Sequence, residues 1–272
     1  MLPPETTGKK LLGVPSFAAP LRLKPMTHRA LASFTALLLC AVVGHAAPTP
    51  APAPMLAPAP TPLPMLADLD PDNDTVVAPP SPIDDCEAKL RAAGVEFTLA
   101  RLPVRPANAE HPTCGVEQAV VYRRGPAKIR YNGQPLVSCG VALGLARFEQ
   151  ALNEEGQRYL GQRVRRIQHG GTYNCRKMTR FALASEHSYA NAIDIKSVTL
   201  ENGRELTVQR TFGKLDAEPK LPEARFWRAV AQRMYDEGAF SVVLTPFFDR
   251  LHKDHLHLDQ ARYRVDGSRP SP

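Results

Sequence analysis

The sequence predicts an α+β domain over residues 85–265, a largely antiparallel sheet with helices packed against it. Three observations predict it. Helical and strand-like periods are mixed without regular βαβ alternation. Phe226, Trp227, Val230 and Met234 form one apolar stripe at helical spacing. Ile193-Asp194-Ile195 and Leu256-His257-Leu258 alternate with period two, the pattern of strands that bury one face.

Taken in order, Asp84 or Asp85 caps a first helix running through Ala93, and Gly94 stops it. Val95 to Leu102 alternates as a strand. Ala119–Tyr122 and Ala127–Tyr131 are two further strands, and Asn132-Gly133 is a turn signal. Val141 to Leu152 reads as a helix, and Val164 to Ile167 as a short strand ending towards Gly170-Gly171. Ala224 to Glu237 is the clearest helix, stopped by Gly238. Phe240–Leu244 and His255–Ala261 close the domain as strands, and residues 266–272 are expected to form a disordered tail. The sequence shows no internal repeat.

Upstream of residue 85 the composition changes. Lys24 and Arg29 precede an apolar run from Ala30 to Val43, followed by small residues at Gly44-His45-Ala46-Ala47. This order predicts a cleaved secretory signal over residues 1–46, with Met26 as an alternative start. Fourteen apolar residues are too few to span a bilayer comfortably. A membrane association therefore requires the segment to stay uncleaved or Cys40 to be lipidated. Residues 47–84 are a Pro/Ala-rich linker, with 12 prolines between Pro48 and Pro82. Proline fixes φ and lacks an N–H, so this reads as a semi-rigid spacer. The expected location is the periplasm or the exterior.

Removal of residues 1–46 leaves a mature chain of about +3. With no basic-aromatic motif, this makes no case for nucleic acid; loose attraction to an anionic wall polymer suits it better. Cys86, Cys114, Cys139 and Cys175 remain, none spaced as CxxC. An even count in an exported domain predicts two disulfides in one of three connectivities. The chain is expected to be a monomer.

His252-Lys253-Asp254-His255-Leu256-His257 holds three of the eight histidines. On a strand, His255, His257 and Asp259 share one face while Leu256 and Leu258 take the other. Asp194 likewise points away from the core between its isoleucines, and His187 lies seven residues earlier, after Ser185-Glu186. Two imidazoles, a third from upstream and a carboxylate are the donors Zn²⁺ takes in sites with an open position. Glu186 is expected to be solvated.

Ser185-x-His187 and Ala192-x-Asp194, followed late by His255-x-His257, resemble the signature of zinc peptidases of the D-alanyl-D-alanine carboxypeptidase and D,D-dipeptidase kind. His252-x-x-His255-x-His257 is also similar to penicillin-insensitive murein endopeptidases. Together with Tyr173-Asn174-Cys175-Arg176 and His255-Leu256-His257-Leu258-Asp259, the set looks most like the bacterial extensin-like C-terminal domain family, over about residues 86–263. The resemblance implies the zinc D,D-peptidase fold and Zn²⁺ as cofactor, held by His187, Asp194 and His257. It implies His255 as the catalytic neighbour, oriented by Asp254 or His252, and Arg176 as the group that meets a substrate carbonyl or carboxylate. Ser185 and Tyr189 would shape the substrate pocket.

The chain departs from that pattern in two places. Position 190 is Ala where related peptidases carry Gly, which is costly if the backbone there is left-handed. The dipeptidases' Glu-x-x-His is missing, with Asp at 254 instead. The implied activity is hydrolysis of amide bonds in peptidoglycan peptides, with carboxy- or endopeptidase chemistry and peptidoglycan as partner. The rival readings are an inactive wall-binding module that keeps the fold and a structural protein without metal.

Overall fold

A computed structural model describes residues 79–179, 183–215 and 218–268, all within one compact unit. The signal segment, Cys40, most of the proline spacer and residues 269–272 lie outside the described residues. The architecture is α+β with a largely antiparallel sheet: among the described strand pairs only Arg130–Tyr131 with Val164–Gly171 and Val242–Leu244 with Val265–Gly267 are parallel. Helix α1 (Cys86–Ala92) leads into β1 (Glu96–Arg105), β2 (Cys114–Arg124), β3 (Arg130–Tyr131) and β4 (Leu136–Ser138). Then come α2 (Cys139–Leu160), β5 (Val164–Gly171), a 3₁₀ turn (Glu186–Tyr189), β6 (Ala192–Leu200), β7 (Glu205–Thr207) and α3 (Val208–Thr211). The chain closes with α4 (Pro222–Asp236), β8 (Val242–Leu244), a second 3₁₀ turn (Arg250–His252), β9 (Leu256–Asp259) and β10 (Val265–Gly267).

Two sheets result. The smaller has the order β1-β2-β4; the larger runs β10-β8-β9-β6-β5-β3, with β7 also paired to β6. The larger sheet owes its core face to alternation. Ile193, Ile195, Leu256 and Leu258 are all fully buried, and β6 pairs antiparallel with β9 so that these four side chains share a face. At roughly 2 kcal/mol per fully buried aliphatic side chain, the four contribute about 8 kcal/mol of burial. The opposite face carries Asp194, His257 and Asp259.

The helices cover the apolar face. α4 buries Phe226, Trp227, Val230 and Met234, the stripe seen in the sequence, against α2. α2 reaches Leu160, a full two turns beyond the expected Leu152. Its apolar period is interrupted by Asn153 and Gly156, but the tertiary fit carries it on: the Asn153 side chain accepts a hydrogen bond from Val164 N at 2.9 Å. A Cβ on Gly144 would stand 2.7 Å from the Ala239 carbonyl, so glycine permits α2 to sit on the turn after α4.

Two boundaries are corrected. The tail expected from residue 266 is ordered at its start, because Asp266 and Gly267 pair with Val243 and Leu244 in β10. Three residues carry too little periodicity to announce a strand. The linker's expected end at residue 84 also shifts, since Ile83 exchanges two hydrogen bonds with the Gln118 side chain, at 2.7 and 3.1 Å, and packs on the core.

The four cysteines pair as Cys86–Cys139 and Cys114–Cys175. The first joins α1 to the start of α2; the second joins β2 to the segment that carries Arg176. With separations of 53 and 61 residues, each restricts the unfolded chain by about 4 kcal/mol in the chain-entropy model. Paired cysteines belong to an oxidising compartment. No helix among the described residues is long and apolar enough to cross a membrane.

Candidate metal centre

The register between β6 and β9 places Asp194 directly opposite His257. His257 Nδ1 lies 3.0 Å from Asp194 Oδ1, and His187 Nε2 lies 3.3 Å from the same oxygen. His187 comes from the 3₁₀ turn, which ends at Ala190 with φ 51°, in the left-handed region. A side chain with a Cβ costs roughly 1 kcal/mol there. The turn is held by Ser138 N, which donates to the Ala190 carbonyl at 2.7 Å, and by Ser138 Oγ, which donates to Asn191 at 2.7 Å. Ser138 also caps α2 through Val141 N, so the start of that helix and the His187 turn are one hydrogen-bonded unit.

One atom from each of His187, Asp194 and His257 lies within 4.8 Å of the others. Two ligands on a tetrahedral metal with bonds of about 2.0–2.2 Å stand about 3.3–3.6 Å apart, close to the His–Asp separations here. The remaining ring nitrogens are already committed. His187 Nδ1 donates to the Thr172 carbonyl at 3.0 Å, which turns Nε2 towards Asp194. His257 Nε2 donates to Asp259 at 2.8 Å, which turns Nδ1 towards Asp194. Partners of this kind orient metal-binding histidines. The donor set therefore fits Zn²⁺, a borderline-soft ion with a preference for nitrogen and carboxylate oxygen.

Charge is arranged for a cation as well. Burial alone would raise the Asp194 carboxyl, but hydrogen bonds from His187 and His257 outweigh it and hold the group far below the ordinary carboxylate range. Burial likewise works against charge on His257, yet its bonds to Asp194 and Asp259 push it up to about 10. Both partners are acceptors, so the metal-free ring is a doubly donating imidazolium.

His255 stands at the edge of the cluster, with Nε2 3.5 Å from Asp194 Oδ1 and Nδ1 donating to Asp254 at 2.9 Å. Asp254 in turn accepts from Lys196 at 3.0 Å. Of the two candidate orienting groups, Asp254 is the one that touches His255. His252 is bonded instead to Asp249 at 2.7 Å, with its ring 5.3 Å from that of His255 and 5.7 Å from that of His257. Burial, ahead of the neighbouring His257, pushes His252 down to about 4, so it stays neutral beside the cluster.

These groups open on a cavity of about 330 Å³. Arg176 lines it from an exposed position, its Nη1 donating to the Lys177 carbonyl, and Ser185 lines it from a buried one. Val242, Leu244, Phe248 and Tyr263 supply an apolar wall. Tyr189 is buried in the 3₁₀ turn and is not among the lining residues. Glu186 is corrected from solvated to buried. It accepts from Asn191 at 2.7 Å, and burial, then the nearby Asp259, pushes it up to about 8.

Sequence reasoning left Asp259 without a role, although the alternation His257-x-Asp259 put both on one face. It missed the Thr172 carbonyl entirely, for which a sequence carries no signal. Asp249 was unmarked too; its spacing of three from His252 was the available clue. No curated protein and no solved structure matches the chain. The family model described as the extensin-like protein C-terminus matches residues 84–269, which takes in both disulfides and every residue of the cluster. By that match, the chain belongs to the extensin-like protein C-terminus family.

Proposed function

We propose that this protein is an exported zinc peptidase that hydrolyses amide bonds in peptidoglycan peptides. The observation that carries the reading is the meeting of His187, Asp194 and His257 from two distant segments, each histidine already oriented by a partner on its other nitrogen. Bound there, Zn²⁺ supplies Lewis acidity and a water acidified towards neutral pH. The likeness of Ser185-x-His187, Asp194 and His255-x-His257 to zinc D,D-peptidases supports the metal and the substrate class.

The chain's own residues supply the rest. His255 directs Nε2 at the cluster while Asp254 holds Nδ1–H, so Nε2 is free to take a proton from an attacking water. The same nitrogen then returns it to the departing amine. Arg176, on the cavity wall, offers a planar fork to a substrate carbonyl or carboxylate. The wall of Val242, Leu244, Phe248 and Tyr263 excludes water and suits small apolar side chains such as alanine.

The test is muropeptide release from purified sacculi, followed with and without added zinc. Wild type is expected to release peptides only with zinc, and His255→Ala to keep stoichiometric zinc while losing release. Zinc-loaded protein that binds sacculi but releases nothing would replace this reading with a wall-binding module.

A further inference from the structure

A second concave site lies at the opposite end of β5. Gly171 pairs with Asp194 at the metal cluster, whereas Val164 starts the strand seven residues away, roughly 23 Å along it. There Arg124, Lys128 and Arg130 from the β2–β3 segment face Arg163 and Arg165 from the α2–β5 junction across a cavity of about 430 Å³. One carboxylate, Glu201, joins these five cations, and it reaches Arg165 at only 4.0 Å. Lys128 is paired with Glu96 at 2.7 Å, and Glu96 also stands opposite Arg124 in the register of β1 with β2. Among the described residues, no carboxylate lies within ion-pair distance of Arg124, Arg130 or Arg163. Arg91, Arg204 and Arg233 all have such partners.

The backbone supports this concentration of charge. Lys128 has φ 58°, a region that residues with a Cβ rarely adopt, and its N–H closes a turn onto Gly125 at 3.1 Å. Val164 N is held by Asn153, which fixes the junction carrying Arg163 and Arg165. Like charges so gathered repel one another and are relieved by an anion.

We propose that this pocket binds phosphate groups of a base-free phosphate polymer and so holds the protein on an anionic surface while the metal cluster works elsewhere. Phosphate is favoured over carboxylate by the number of donors. One guanidinium fork satisfies an isolated carboxylate, whereas Arg124, Arg130 and Arg163, lining one cavity with no carboxylate of the described residues in ion-pair distance, match a row of closely spaced phosphate charges. Nucleic acid is disfavoured because no aromatic side chain lines the pocket for a base to stack on.

The experiment titrates the purified full chain with linear inorganic polyphosphate at several salt concentrations. Arg130→Ala/Arg163→Ala is expected to weaken binding about tenfold or more, and to flatten log affinity against log salt by about 1.4. Arg91→Ala/Arg225→Ala makes the same change in net charge on exposed surface elsewhere and should leave binding within about twofold. Arg130→Lys/Arg163→Lys should keep the salt slope while losing affinity, since charge remains but the fork does not. Thermal melting and zinc content of all three variants should match wild type, which separates loss of the pocket from loss of the fold. Equal weakening in the pocket and control variants would overturn the proposal, as would no weakening in either. Polyglutamate that binds as tightly as polyphosphate, or a single-stranded oligonucleotide that binds more tightly at equal phosphate number, would also overturn it.

Discussion

Asp194 and Glu149 are both carboxyl groups largely removed from water, and the protein gives them opposite fates. Glu149 sits on α2, fully buried, where Oε1 accepts from Tyr122 Oη and Gly125 N, each at 3.0 Å. Burial dominates there and pushes it up to about 7. Asp194 pays a similar desolvation penalty, but two imidazoles press on it and keep it ionised. Burial therefore does not by itself make a candidate metal ligand. What marks the site is a buried anion whose neighbours are donors able to give up a proton, as against phenol and amide, which cannot at neutral pH.

The largest break in this comparison is Asp194→Asn. Removing the shared anion is expected to abolish stoichiometric zinc, read by elemental analysis, with an affinity loss greater than the roughly 10–100-fold typical of an outer partner. Glu149→Gln should leave zinc content unchanged; zinc loss in that variant would dissolve the distinction between the two carboxyls.

Next in size is the effect of pH on stability. Glu149 is raised in the folded state from 4.5 to about 7, so its contribution is fully present below about pH 4.5 and is lost as pH rises through 7. Wild type should lose about 3 kcal/mol over that window relative to Glu149→Gln, measured by urea unfolding at successive pH values. Parallel curves for the two proteins would show that Glu149 does not titrate in this range.

A smaller change sharpens the site itself. Asp259→Asn keeps the shape but weakens the acceptor for His257 Nε2, and zinc affinity should fall about 10–100-fold without loss of the fold. The smallest signal is a proton count. With His257 held protonated up to about 10, zinc uptake at pH 8 should release about one proton as the metal takes Nδ1. Calorimetry in two buffers of different ionisation enthalpy measures it, and uptake without proton release would mean that His257 is not a ligand.

Much of the site could be read locally. Ile193-Asp194-Ile195 and Leu256-His257-Leu258 each announce a strand with one apolar face, and the structure keeps both. The proximity of position 190 to a left-handed turn was also visible, as an alanine where a glycine is usual. Other features were out of reach for physical reasons. The Asp259 and Thr172 partners depend on ring orientation, and Glu186 reads as solvated until the His187 turn is folded over it. The last two turns of α2 and the three residues of β10 owe their form to neighbours distant in sequence.

The sequence by itself determined which residues carry donor atoms, which face of each short strand is apolar, and that four cysteines were available for two bridges, because period and side-chain chemistry are local properties. Only the tertiary structure decided that Asp194 stands opposite His257, that Cys86 takes Cys139 and Cys114 takes Cys175, and that five cations gather at the far end of β5. Register and pairing are set by contacts across 50 or more residues, where the burial of a whole face, and no single residue's preference, selects one arrangement.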